Sequence, residues 1–153
     1  MRPLFSLLTL GSLALSIHAA DTPVSGKFTG DGKEAKLAFA SARKGDDFDG
    51  KPTTVLILSE KDHGTDKRAA SKAAFGDFGC ALVITILADG KIIGCEVAHT
   101  AHKMIGFSSV GTTMMSDFKS AEGKLSGKIK TDGEKTFFKQ KWEVDIAFEV
   151  KAP

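Results

Sequence analysis

The sequence has no tyrosine and a single tryptophan, Trp142, beside eleven phenylalanines. Proteins that hold sugars or stack on bases do so mainly with Trp and Tyr, which join an apolar ring to a polar tip. An aromatic complement made almost wholly of Phe suits a dry interior, so these residues read as core. An excess of one charge is also missing: 21 basic residues stand against 19 acidic ones. A dedicated nucleic-acid binder concentrates basic charge to neutralise phosphates, so this balance argues against nucleic acid as a partner. Only two cysteines occur, Cys80 and Cys95, and their spacing matches no metal or redox motif. Phosphate loops and dinucleotide fingerprints are absent.

What is present begins with the leader. Arg2 gives a positive start, Leu4 to Ile17 is apolar but diluted by Ser6, Thr9, Gly11, Ser12 and Ser16, and His18-Ala19-Ala20 ends on small residues before Asp21. That order is the order of a secretory signal peptide, cleaved after Ala19 or Ala20. A spanning helix needs about 20 mostly apolar residues, and this run is shorter and interrupted, so the chain is not expected to cross a membrane. Residues 1–20 are thus read as a signal peptide and 21–153 as one exported domain, periplasmic or extracellular, large enough to bury its own core.

Period-2 alternation dominates the rest. From Lys141 to Lys151 the even positions Trp142, Val144, Ile146, Phe148 and Val150 are large and apolar, and the odd ones are charged apart from Ala147. This is the pattern of a half-buried antiparallel strand. Further strands are expected at 24–29, 34–42, 53–59, 81–88, 91–98, 111–119 and 124–131. Asp31-Gly32, Asp89-Gly90 and Asp132-Gly133 lie between them, and Asp-Gly tolerates the positive φ of tight turns, so each predicts a hairpin. One short helix is expected, capped by Thr65-Asp66 and stopped by Gly76. The fold class is mainly β: a single antiparallel barrel or two-sheet sandwich of about seven or eight strands with at most one short helix.

A two-residue turn at Asp89-Gly90 would set Cys95 opposite Ile84 and Cys80 opposite His99. The two sulfurs would then be separated by about 13 Å along the strands. A disulfide needs Cα atoms within about 7 Å, so both cysteines are read as reduced, buried thiols.

His63, His99 and His102 are the histidines of the mature chain, and Glu96 precedes His99-Thr100-Ala101-His102. If the strand end curled, His99 and His102 could face one metal ion, with His63 or Glu96 completing the set. The alternative places the two as exposed loop histidines beside a strand end. Asp46-Asp47-Phe48-Asp49-Gly50 fails as a calcium loop, because Gly45 and Leu56 fall where ligands are required, and reads as a solvated turn. Gly106 to Gly111 lacks the spacing of a nucleophile elbow. Lysines dominate between Lys119 and Lys141, a pattern that suits either an anionic lipid or polysaccharide contact or, the preferred reading, charge that discourages edge pairing.

With no complete catalytic constellation and no cofactor motif, the sequence points to a non-enzymatic binding or accessory domain. Its partner would be a small apolar ligand or another protein. The alternative is a metal-dependent enzyme or metal-binding protein using His63, His99 and His102, with Glu96 nearby.

Overall fold

The structure, a computed structural model, describes residues 23–153; the expected leader lies outside them. The alternating C-terminal segment forms the longest strand, β11 (Gln140–Lys151), and its burial alternates as its sequence does. Trp142, Val144, Ile146, Phe148 and Val150 all enter the main core. Around this strand stands a sheet in the order β2-β1-β11-β9-β8, with β10 also paired to β11. Its other members are β1 (Val24–Gly30), β2 (Lys33–Ala35), β8 (Thr113–Ala121), β9 (Lys124–Thr131) and β10 (Lys135–Phe137).

A second sheet runs in chain order: β3 (Phe39–Lys44), β4 (Thr53–Ser59), β5 (Ala81–Leu87), β6 (Ile92–Ala98) and β7 (Gly106–Ser108). Neither sheet closes on itself. Their inner faces share one core, in which Phe28, Ile129 and Trp142 meet Leu56, Leu82 and Val97. The fold is therefore a two-sheet sandwich and not a barrel. The helix α1 (Ala69–Ala74) covers the outer face of the second sheet, burying Ala69 and Ala73 against Ile57, Ala81, Val83 and Ala98. It starts after Arg68 without a side-chain cap; the expected Asp66 cap acts a turn earlier, accepting the Arg68 N–H.

Two expectations about strand connectivity change. Residues 34–42 are not one strand, because the chain crosses between sheets after Ala35, leaving β2 in one and β3 in the other. Leu37, in the crossing, is buried, so the alternation survives even though the pairing partner changes. Asp132-Gly133 is not a hairpin turn either. Both β9 and β10 pair with β11, so the Asp-Gly pair is a kink inside one interrupted strand, with Gly133 at φ 65°. The reversal comes later, at Phe138-Lys139.

The other turns follow the chemistry of their residues. Asp31-Gly32 joins Gly30 to its partner Lys33 with both φ positive, the geometry of a type I′ hairpin. Asp49-Gly50 does the same between Phe48 and Lys51, so the acidic segment is a tight turn. At Asp89-Gly90 the loop is one residue longer than expected, with the Leu87 N–H bonded to the Lys91 carbonyl. A compensating shift beyond Ile92 restores the expected register, and Cys95 faces Ile84 as predicted. Cys80 and Cys95 are both free and buried.

Candidate functional site

Three connections meet at one end of the sandwich: the β1–β2 turn, the 99–105 segment between β6 and β7, and the β10–β11 turn. The start of β11 fastens them. Asp31 N–H donates to the Lys141 carbonyl at 2.8 Å, and Lys141 N–H donates to Asp31 Oδ1 at 2.7 Å. The Gln140 side chain grips the backbone of Met104, accepting its N–H at 2.6 Å and donating to its carbonyl at 3.1 Å. His102 adds a third tie, from Nε2 to the Lys141 carbonyl at 2.9 Å. A carbonyl only accepts, so this bond places a His102 proton on Nε2, and in the neutral ring Nδ1 is then the acceptor.

His99 and His102 are buried, not exposed as loop histidines. The strand alternation of Cys95 and Val97 continues into His99, whose ring meets Phe28 edge-on at 5.1 Å and His102 at 5.2 Å. Both rings fit because residue 30 is glycine. A Cβ there would lie 2.6 Å from His99 Nδ1 and 2.7 Å from His102 Nε2. His99 Nδ1 accepts the Ala101 N–H at 3.1 Å, so in the neutral ring the proton sits on Nε2.

Burial lowers the His99 pKa below its ordinary value. His102 adds to this, while Glu60, the Lys33 carbonyl and Asp31 oppose it. Three buried polar atoms here, His99 Nε2, His102 Nδ1 and Trp142 Nε1, have no hydrogen-bond partner among the described residues. The buried indole N–H of Trp142 thus donates to no backbone carbonyl among the described residues. The Lys33 carbonyl acts on His99 electrostatically without forming an aligned bond.

The β10–β11 turn is unusual in its residues. Phe138 and Lys139 both adopt left-handed φ, 44° and 68°, between paired Phe137 and Gln140. Such turns favour Asn-Gly, and a left-handed L-residue other than Gly costs roughly 1–2 kcal/mol. The ring of Phe138 meets Phe137 at 4.7 Å yet remains 80% exposed. Behind it Phe137 stacks on Phe107 at 4.4 Å, and Phe107 meets the Trp142 edge at 6.0 Å. An aromatic column thus runs from the exposed tip into the core.

Between the three connections lies an open cleft of about 770 Å³, lined by Asp31, Lys103, Met104, Phe138, Lys139 and Gln140. Volumes of several hundred Å³ accommodate small organic ligands. Its lining joins two apolar side chains to two lysines, and neither lysine forms an ion pair among the described residues. Composition alone did not mark these residues. The signals in the sequence were the lysine excess between Lys119 and Lys141, which includes Lys139, and the Phe137-Phe138 pair, which breaks the alternation immediately before β11.

The four candidate metal ligands are not brought together. His63 and Glu96 lie toward the outer side of the second sheet, while His99 and His102 pack inside. Glu96 is paired with Val83, on the face that α1 covers. His63 is held by Ser41 Oγ at 2.8 Å and Ser59 Oγ at 2.6 Å. Ser59 also donates to the Lys61 carbonyl, so its oxygen accepts from His63 Nδ1 and Ser41 donates to Nε2. His63 thus buckles the 60–66 loop to β3 and β4, its pKa lowered by burial first and by Arg43 second. Among the described residues no three His, Cys, Asp or Glu side chains converge to hold a metal.

Elsewhere, Lys124 and Lys128 pair with Glu149 and Asp117 on exposed strands. No helix among the described residues is long and apolar enough to cross a membrane. The chain matches no protein-family model, no curated protein and no solved structure.

Proposed function

We propose that this chain is an exported, non-enzymatic binding domain, periplasmic or extracellular, that holds a small amphiphile at the end of the sandwich. The ligand has an apolar body and an anionic head, as a fatty acid does. The observation that carries this reading is the exposed Phe138, held in a left-handed turn and lining one cleft with Met104, Lys103 and Lys139. Backbone strain of this kind persists where the surroundings impose it, and it concentrates at binding sites. Phe138 and Met104 offer apolar contact; the lysines offer charge to the head. The fastening by Gln140, His102 and Asp31 orders the connections before any ligand arrives, which reduces the ordering cost of binding.

The test is thermal melting of the purified protein with fatty acids and isoprenoid alcohols below their micellar concentrations, with mass spectrometry of organic extracts. A saturable rise in melting temperature with the acid, larger than with the alcohol of matching length, is expected. Clean extracts together with no shift from either class refute the reading.

A further inference from the structure

We propose that the same end of the molecule docks on an anionic lipid bilayer, with Phe138 inserted between the lipids and the surrounding lysines against their headgroups. This rests on the reading of the cleft as an amphiphile site and names the source of the amphiphile.

The apolar side chains are placed for it. Phe138 stands at the tip of a turn, Met104 shares the cleft with it, and Ile105 follows Met104. The ridge continues to the end of α1, because Gly76 packs against Ile105 and the neighbouring Phe75 is 74% exposed. Met104 and Phe138 thus share the cleft, Ile105 follows directly, and the exposed Phe75 lies on the segment that packs beside Ile105. A fluid hydrocarbon layer accepts such a protruding point without any matching cavity.

The charge is complementary. Segments 99–105 and 135–141, which build most of this end, contain Lys103, Lys135, Lys139 and Lys141 and no acidic residue. Lys141 is engaged by Glu134, and the other three form no ion pair among the described residues. The Asp31 carboxylate, the acid lining the cleft, already accepts a backbone N–H of Lys141. Anionic headgroups attract each nearby lysine, while zwitterionic ones do not.

The experiment is co-sedimentation of the purified protein with vesicles of phosphatidylcholine, with and without phosphatidylglycerol, at low and high salt. Retention is expected on the anionic vesicles and is expected to weaken with salt. Phe138→Asn keeps the turn, because Asn accepts left-handed φ, and it is expected to reduce partitioning at least about tenfold while the melting temperature holds or rises. Lys103→Gln with Lys139→Gln is expected to reduce it by a similar factor, and Lys119→Gln, on β8, to leave it unchanged.

No retention on anionic vesicles at low salt overturns the proposal, as does retention that Phe138→Asn leaves intact. Concentration-dependent self-association abolished by Phe138→Asn, without vesicle binding, also overturns it and makes this end a contact between copies. A fatty-acid melting shift that persists without vesicle binding overturns docking alone; loss of both overturns the amphiphile reading as well.

Discussion

Replacing Gly30 with alanine tests whether the buried histidine pair is packed as described. The backbone at Gly30 lies in β1 and is not left-handed, so alanine there meets no conformational penalty. Without a neighbour in the way, Gly→Ala would stabilise by about 0.4–1 kcal/mol through the unfolded chain. The structure reverses the sign. The added methyl collides with the His99 ring and lies 2.7 Å from His102 Nε2, and both rings are buried with no room to swing out. Overpacking of this kind costs about 1–3 kcal/mol, and displacing His102 also loses its bond to the Lys141 carbonyl, about 1 kcal/mol more. The expected loss is about 3 kcal/mol, or about 10 °C in melting temperature for a domain of this size. Thermal denaturation followed by circular dichroism measures it. His102→Ala removes one of the two clashes and opens space into which the His99 ring can shift, so the double variant should lose at least about 1 kcal/mol less than the two single losses added together. A Gly30→Ala protein as stable as the parent, or strictly additive losses, would refute the packing of the two rings around residue 30.

Three further outcomes follow from the same structure. His63 and His99 both have pKa values lowered from 6.5 by burial, so the unfolded chain binds their protons first. Stability should be full above about pH 7 and should fall as the pH drops below 6.5 toward the folded values, and a flat melting profile from pH 7 to 5 would contradict the burial of both rings. Burial pushes the Cys95 thiol up to about 12, so it should resist a thiol reagent until denaturant is added; rapid labelling of both cysteines in native buffer would contradict this. Trp142, 1% exposed, should emit in the blue and resist iodide, and truncation to Ala should cost about 3–5 kcal/mol; a red-shifted, freely quenched emission would place the ring outside the core.

Much of the fold was legible because it is written at short range. Alternation gives β11 residue by residue, and Asp31-Gly32 and Asp89-Gly90 each reverse the chain as their chemistry requires. The failures come from information the local pattern does not contain. Asp132-Gly133 has the right residues for a hairpin, but β11 pairs with the strands on both sides of it, so a kink replaces a reversal. The change of sheet after Ala35 is equally invisible, since Leu37 stays buried through the crossing.

The candidate site was less legible still. The expected register did put His99 on the same face as Cys80, and the structure has the Thr100 N–H donating to Cys80 Sγ at 3.3 Å. Carrying that alternation one residue past the strand would have buried His99. Nothing short of the folded chain, however, brings Gln140 to Met104 or Asp31 to Lys141.

The long pairing of β11 has a consequence for how the molecule comes into being. Val24 lies against Phe148 and Gly30 against Trp142, so the first strand of this sheet waits for one that is synthesised more than a hundred residues later. Until then β1 has only the three residues of β2 to pair with, far too little to hold a sheet. Such distant pairings make for slow folding. A chain emerging vectorially from a ribosome therefore has its principal sheet still unmade until β11 is out. Completion of that sheet is thereby tied to the last stretch of the chain to be made.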